Sequence, residues 1–369
     1  FGYPVAAIFS IILKIEGNIL SIFFRGVIFF IGAFLMITQK KIVFSWIHSF
    51  LVIFWIGYLI RIIVDLIFRD IQGPYSDFYI ISNAFGSTFL PILVIIFNPY
   101  FDKDSILSFL GSKLFFYLSV FVGALLLSYI FFNNSIQDIF MSYRFYIDSD
   151  DFGNSGSRLN PIMLSYIGGM IVILGLSQVR FLLNLLGFLT GLTLVSIGAS
   201  RSVILGLFSF LFLFHVLPHL RLMVLNFNTR FFFKSIFVIL CILLFLMSFN
   251  LDILEELNFI NRIIGNVSVG NLNYDNGRAE KWEGAFGQFY DNPLFGDKII
   301  ENSEGFYPHN FHLEILMSLG LFFYLLFFFM NVYILRYMLI FKEKNNVLKG
   351  FFLLLSVVTF FSFPLYSMV

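Results

Sequence analysis

Apolar runs of roughly 20 residues recur along most of the chain, separated by polar connections, and each is long enough for an α-helix to cross a bilayer. Hydrophobic residues make up 59% of the chain and charged residues 12%, whereas soluble domains carry about 25% charged residues. The chain is therefore predicted to be an all-α, polytopic helical membrane protein.

About eleven or twelve transmembrane helices are predicted from these runs. Leucine, isoleucine and phenylalanine follow one another with glycine interspersed, which favours helices over barrel strands, whose apolar residues alternate. Residues 1–369 are treated as one integral membrane domain. The candidate spans are roughly 1–13, 18–38, 43–66, 78–97, 114–133, 161–177, 179–199, 202–217, 231–249, 311–337 and 350–368.

The basic residues predict how the spans are oriented. With the N-terminus in the cytoplasm, the cytoplasmic connections hold twelve Lys/Arg and three acidic residues, against nine Lys/Arg and seventeen acidic residues outside. Two long polar loops, 134–160 and 250–308, are then predicted to face the periplasm, where we expect the function to lie. A net charge of +1 without a basic tail gives no reason to expect a nucleic acid partner.

The large loop 250–308 contains two predicted helices. In "LDILEELNFINRII" the apolar residues recur at helical spacing after early acids, which is typical of an amphipathic helix along the membrane surface. In "RAEKWEGAFGQFY" one face carries Trp282, Ala285, Phe286 and Phe289, and the Asn-Pro that follows stops the helix. Arg278 falls at the start of this second helix, where backbone N–H groups and a guanidinium suit an anion.

A cluster of polar residues marks the point where the chain re-enters the membrane, in "FYPHNFHLEILMSLG". Asn310 is predicted to cap the helix that follows, with His309 and His312 on a shared face. His309 is either an idle interfacial histidine or a functional one. The His-x-x-His spacing admits zinc, but no further ligand completes a set, so no metal is predicted. Glu314 is expected to bond to a neighbouring helix.

Several arginines are predicted to reach the outer face. Arg201 follows Ser200 between two apolar runs, Arg158 precedes a span, and Arg61 is four residues from Asp65, which predicts an ion pair within one helix. An interfacial arginine extending toward water is the alternative for Arg201. Convergence of Arg158, Arg201, Arg278 and His309 would suit a pyrophosphate, because arginine binds phosphate oxygens in bidentate fashion.

Three segments carry a resemblance to a known superfamily: "ASRS" at 199–202, "GRAEKWEGAFGQFYDNPLFG" at 277–296 and "PHNFHLEILMSLG" at 308–320. Together they resemble the bacterial O-antigen polymerases and O-antigen ligases, whose His-Asn, nine residues, Gly element matches His309-Asn310 to Gly320. Phe323 stands where that pattern continues with a small residue or tyrosine. The resemblance covers residues 155–325, and earlier residues match in topology alone.

The resemblance implies a glycosyltransferase in the bacterial inner membrane that uses an undecaprenyl-pyrophosphate-linked oligosaccharide as donor and a second one as acceptor, without a cofactor. Arg201 and Arg278 would hold the pyrophosphate, and His309 would act as the catalytic histidine. Substrate-binding roles are predicted for Arg158, Asn310, Arg61 and Trp282. A chain-length regulator protein is a further implied partner, beside the lipid bilayer.

Polymerase and ligase remain alternatives within this superfamily. A polymerase joins lipid-linked repeat units, whereas a ligase transfers the glycan to lipid A core or another acceptor. The net acidic outer surface favours the polymerase, because the phosphates of lipid A core call for a more basic one. A lipid-linked glycan transporter would place ionisable residues at midspan, and a non-enzymatic scaffold would leave the arginines and His309 without a task.

Overall fold

The structure is a computed structural model, and it describes residues 46–69, 84–89, 112–135, 161–177, 181–216, 278–302, 307–340 and 346–361, with isolated positions between 23 and 38 and at 77, 80, 81, 109 and 139. The predicted spans 1–13 and 231–249, the amphipathic helix within 250–277 and nearly all of the loop 134–160 lie outside the described residues.

The described residues are 88% helical, with no strand among them, which confirms the all-α prediction. A π-helical turn extends α1 at Val64–Phe68 and α5 at Phe212–Val216. The helices are α1 Trp46–Ile63, α2 Lys113–Asn133, α3 Pro161–Leu176, α4 Phe181–Gly198, α5 Arg201–Leu211, α6 Arg278–Asp291, α7 Phe311–Ile340 and α8 Asn346–Phe361.

Four helical segments in the described part of the chain are long and apolar enough to cross a membrane. They are Ser49–Phe68, Lys113–Phe132, Phe181–Gly198 and Phe311–Arg336, and α3, α5 and α8 are shorter apolar helices. The prediction of a polytopic membrane protein is therefore confirmed. The seven described helices that correspond to predicted spans begin within a few residues of the predicted positions, because apolar runs begin and end where polar groups must reach water.

A first group of helices, α2 to α5 and α8, shares one apolar core. Glycines bring α3 and α4 into backbone contact, since a Cβ added at Gly168 would lie 2.8 Å from the Val195 nitrogen and one at Gly175 would lie 3.0 Å from Gly187. Small residues of this kind let helices pack closely in lipid, where helix association depends on van der Waals contact rather than on the hydrophobic effect.

A second group contains α1, α6 and α7 together with residues 296–302. Its core includes Phe54, Tyr58 and Phe311. The two groups meet where the His312 ring at the start of α7 lies 5.3 Å from the Phe360 ring at the end of α8. The described part of the large loop, α6 and the residues that follow it to 302, belongs to this second group.

Candidate functional site

The two outer-loop elements of the sequence pattern lie against each other. Trp282 on α6 donates its Nε1–H to the carbonyl of Pro308 at 2.8 Å. Below this bond, Trp282 packs on the buried side chains of Ala285, Leu313 and Met317. Residues 277–296 and 308–320 are therefore one assembly, with the tryptophan of the first element joined to the residue before His309 in the second.

His309 has an unusual backbone conformation for a residue that is not glycine. Its φ is 54°, in the left-handed region, where a Cβ is disfavoured. The imidazole is partly exposed, and the Tyr307 ring lies 4.3 Å from it. Left-handed residues of this kind persist where the surrounding structure holds them, and they cluster at functional sites.

Asn310 caps α7, as predicted. Its Oδ1 accepts the N–H groups of His312 at 3.0 Å and Leu313 at 3.2 Å, and its side chain is buried. These are two of the N–H groups that the first turn of a helix leaves without an intrahelical partner. The cap therefore fixes the position at which the helix begins, directly after His309.

The predicted shared face of His309 and His312 is wrong. His309 precedes the capping residue and has left-handed φ, so it is not part of the helix that carries His312. The His312 ring instead packs among aromatic rings, with ring centres 5.9 Å from Tyr324, 5.6 Å from Phe327 and 5.3 Å from Phe360. Across the described residues, no group of three or more His, Cys, Asp or Glu could hold a metal ion.

Glu314 bonds to a neighbouring helix, as predicted. Its carboxylate is fully buried and accepts the Tyr58 hydroxyl at 3.1 Å. A buried carboxylate loses its hydration, and the tyrosine replaces part of that loss. The bond joins α1 to the first turn of α7 and so supports the segment that begins at His309.

A break divides α7 at Gly320, which has φ 76° and ψ −175°. The preceding turn of the outer loop fills the break. The Asp297 N–H donates to the Met317 carbonyl at 2.7 Å, and the Leu321 N–H donates to the Pro293 carbonyl at 2.8 Å. The groups that an interrupted helix leaves unpaired are thus satisfied by residues 293–297.

Gly296 and Gly320 make this contact possible. Both have positive φ, and a Cβ added at Gly320 would lie 2.5 Å from the Gly296 nitrogen. A Cβ added at Gly296 would lie 2.5 Å from the Leu319 nitrogen. The final glycines of the two sequence elements are therefore packed on each other, which explains their place in the pattern in terms of backbone contact.

Arg61 and Asp65 hold the same turn from α1. Arg61 donates to the carbonyls of Phe295 at 2.7 Å and Asp297 at 2.8 Å, while the fully buried Asp65 accepts the Ile299 N–H at 2.8 Å. The predicted Arg61–Asp65 ion pair is present at 3.9 Å. In this structure Arg61 binds backbone carbonyls, and its predicted role in substrate binding is untested.

A second arginine and a glutamine complete this network. Arg69 lies 3.5 Å from Asp65 and 3.0 Å from the carboxylate of Asp297. Gln288 on α6 accepts the Asn302 N–H at 3.0 Å and donates to the Ile300 carbonyl at 3.2 Å. The turn after α6 is held from α1, α6 and α7 at once.

Arg201 lies at the start of α5 with its side chain exposed. Ala199, with φ 43°, ends α4 by donating its N–H to the Val195 carbonyl at 2.8 Å, in a left-handed cap where glycine is usual. The Ser200 N–H donates to Ser165 Oγ at 3.1 Å, which ties this turn to the first turns of α3.

The packing of α5 against α8 places Arg201 at the same end of the bundle as the start of α7. Gly206 lies against Leu354 and Gly350 against Phe210, so the two helices are antiparallel. When this pairing of positions along α5 and α8 is extended to the start of α5, Arg201 lies level with Phe360. The Phe360 ring contacts that of His312. The convergence of Arg201 and His309 on one substrate stays a prediction.

Arg278 is the first residue of α6, as predicted, and its side chain lies outside the described part of the chain, as does the whole of Arg158. The Asn-Pro pair ends α6 at Asp291, also as predicted. The buried face of α6 differs from the predicted apolar face in one residue. Phe286 was predicted on this face but is 43% exposed, whereas Gln288 is buried.

Some residues of this assembly were absent from the predicted site. Gly296, Tyr58 and Gln288 each contact residues far away in sequence, and only Gly296 had a local signal, as the last residue of "NPLFG".

No protein-family model, curated protein sequence or solved structure matches this chain.

Proposed function

We propose that this protein is a membrane glycosyltransferase that joins undecaprenyl-pyrophosphate-linked oligosaccharide repeat units at the periplasmic face of the bacterial inner membrane. The observation that carries the proposal is the assembly of the two outer-loop elements around His309. The resemblance of those elements to O-antigen polymerases supplies the donor and the reaction.

The proposed reaction is a displacement at the anomeric carbon of the donor. The acceptor hydroxyl oxygen forms a bond to that carbon, the bond from carbon to pyrophosphate oxygen breaks, and undecaprenyl pyrophosphate leaves with the electron pair. The hydroxyl proton passes to His309 as general base. Arg201 and Arg278 stabilise the negative charge that grows on the leaving pyrophosphate.

The local geometry supports this role for His309. Its imidazole is partly exposed, the backbone around it is held by Trp282 and by the Asn310 cap, and the next residue starts a membrane helix. A base at this level suits a donor whose lipid tail lies in the bilayer and whose sugars lie outside. A base held in one position also lowers the entropic cost of aligning the two substrates.

Surface polysaccharide from a strain lacking this gene tests the proposal. A polymerase is expected when single repeat units reach the acceptor without a ladder of longer chains. Accumulation of long lipid-linked chains with a bare acceptor would identify a ligase instead. Unchanged polysaccharide and unchanged lipid-linked glycans would contradict both.

Complementation then tests the residues. We expect His309→Ala, Arg201→Ala and Arg278→Ala to leave the deletion pattern in place, at protein levels matched by immunoblot. Arg336→Ala is the matched control, since Arg336 is an exposed arginine at the far end of α7. Restoration of the ladder by His309→Ala would overturn the catalytic assignment.

A further inference from the structure

We propose that the outer loop dips into the membrane at the end of α6, where it binds phospholipid of the outer leaflet through an apolar surface. This outer patch consists of Phe286, Tyr290, Leu294 and Phe295, which are 43%, 74%, 61% and 68% exposed. The inference is independent of the enzymatic proposal, because it rests on the packing of the loop against membrane-spanning helices.

The exposed side of α6 is divided into an apolar edge and an acidic edge. Phe286 and Tyr290 are four residues apart and adjoin on the helix surface, next to the turn that carries Leu294 and Phe295. The acidic edge consists of exposed Glu280 and Asp291, and exposed Glu283 adjoins Phe286 at the boundary between the two edges. This division is typical of a helix that lies in the membrane interface with its polar edge toward water.

Bonds to α1 fix the depth of the turn. Arg61 and Asp65 both belong to the membrane-spanning segment Ser49–Phe68, and Arg61 precedes its last residue by seven positions, about 10 Å along the helix. Arg61 binds the Phe295 carbonyl and Asp65 binds the Ile299 N–H. The turn therefore lies beside the outer part of a span.

Non-helical backbone at this depth requires partners from the protein. The carbonyls of Pro293 and Leu294 accept N–H groups of Leu321 and Phe322, and the carbonyls of the three residues that follow accept from Arg61. The N–H of Gly296 donates to the Asn292 carbonyl, and that of Asp297 to Met317. These bonds satisfy the five carbonyls of the turn and two of its N–H groups, which lowers the cost of placing the turn beside lipid.

The surface next to the outer patch indicates that lipid covers the patch. Exposed isoleucines follow one face of the first span at helical spacing and form its lipid-facing stripe: Ile53, Ile56, Ile60, Ile63 and Ile67, between 42% and 65% exposed. The stripe reaches the level at which Arg61 binds the turn. Leu321 and Phe322, whose N–H groups bind the turn, are also 38% and 56% exposed, so the outer patch lies beside apolar side chains of a second span.

Site-directed spin labelling of the full chain tests the proposal. Cys241, the single cysteine, is replaced by serine, and labels are placed through Tyr290→Cys and Leu294→Cys in vesicles of phosphatidylethanolamine and phosphatidylglycerol. Collision rates with oxygen, which concentrates in lipid, are compared with those of a water-soluble nickel chelate. Ile60→Cys gives the lipid-facing reference, and Glu280→Cys, on the acidic edge of α6, gives the water-facing one.

Labels at Tyr290 and Leu294 are expected to collide more with oxygen than with nickel, as at Ile60, and to report a depth of about 5–10 Å from the surface. The reverse order, as at Glu280, would overturn the proposal in favour of a water-exposed patch. Protection from both reagents would overturn it in favour of a protein partner or a second copy. Phe286→Cys and Phe295→Cys replace either variant if it fails to fold.

Discussion

Gly296 and Gly320 pack backbone against backbone at the break of α7, each in a left-handed conformation. The contact joins the last residue of the α6 turn to the glycine that ends the His-Asn element. Through it, the position of the break, the turn of the outer loop and the start of α7 at His309 are set together.

Alanine at either glycine is therefore expected to destabilise the protein by roughly 2–4 kcal/mol, because left-handed φ and a Cβ overlap both disfavour it. The measurement is the free energy of unfolding in detergent micelles. Gly287→Ala is the matched control, because Gly287 is helical and a Cβ there meets nothing within 4 Å. That variant is expected to be neutral or slightly stabilised, and an equal loss in all three would contradict the assignment.

Two replacements of Asp65 are expected to distinguish how much its charge and its hydrogen bond each contribute to the free energy of unfolding. Asp65→Leu removes the acceptor of the Ile299 N–H and the partner of two arginines, at a cost of about 3–5 kcal/mol. Asp65→Asn keeps an acceptor oxygen and should cost less. Chemical unfolding of both variants checks this, beside Asp291→Asn at an exposed position. Equal losses for leucine and asparagine would show that the Ile299 bond contributes nothing.

Two helix caps offer a comparison between stability and activity. Asn310→Ala and Ser112→Ala each remove a side-chain acceptor at a helix start, and each is expected to cost about 1 kcal/mol of unfolding free energy. Only Asn310→Ala should lower the rate at which purified protein extends lipid-linked repeats, since Asn310 follows His309. A similar rate for both variants would mean that the cap does not position the histidine.

Ala199 offers a stabilising substitution. Its left-handed φ favours glycine, so Ala199→Gly is expected to raise the free energy of unfolding by about 0.5–1 kcal/mol. Ala124→Gly, at an exposed helical position of α2, should lower it by about 0.5–1 kcal/mol. Thermal unfolding of both variants shows whether the two changes in stability have opposite signs. A loss of stability at both positions would contradict the strained backbone at Ala199.

Local features of this structure were predictable from the sequence. Hydropathy predicted the described spans, and short-range chemistry predicted the Asn310 cap, the end of α6 at Asn-Pro and the Arg61–Asp65 pair. Each depends on residues a few positions apart or on the length of an apolar run. Physical rules for such neighbours hold whatever the rest of the fold does.

Features that depend on distant contacts were not predictable in the same way. Helical spacing put His309 and His312 on one face, but the left-handed φ of His309 removes it from the helix. The bonds from Arg61 to the carbonyls of the turn had no local signal either, because no local pattern places that turn beside α1. Hydropathy also treated α7 as one continuous helix, because a satisfied break at Gly320 leaves the apolar run unchanged.

The break in α7 has a consequence for how the protein is assembled. Residues 293–297 bind the backbone groups that the break leaves unpaired, and they precede Gly320 in the chain. They are therefore synthesised before Gly320. The contact that closes the break therefore joins two segments that are close in sequence, and contacts of short sequence separation form faster than long-range ones.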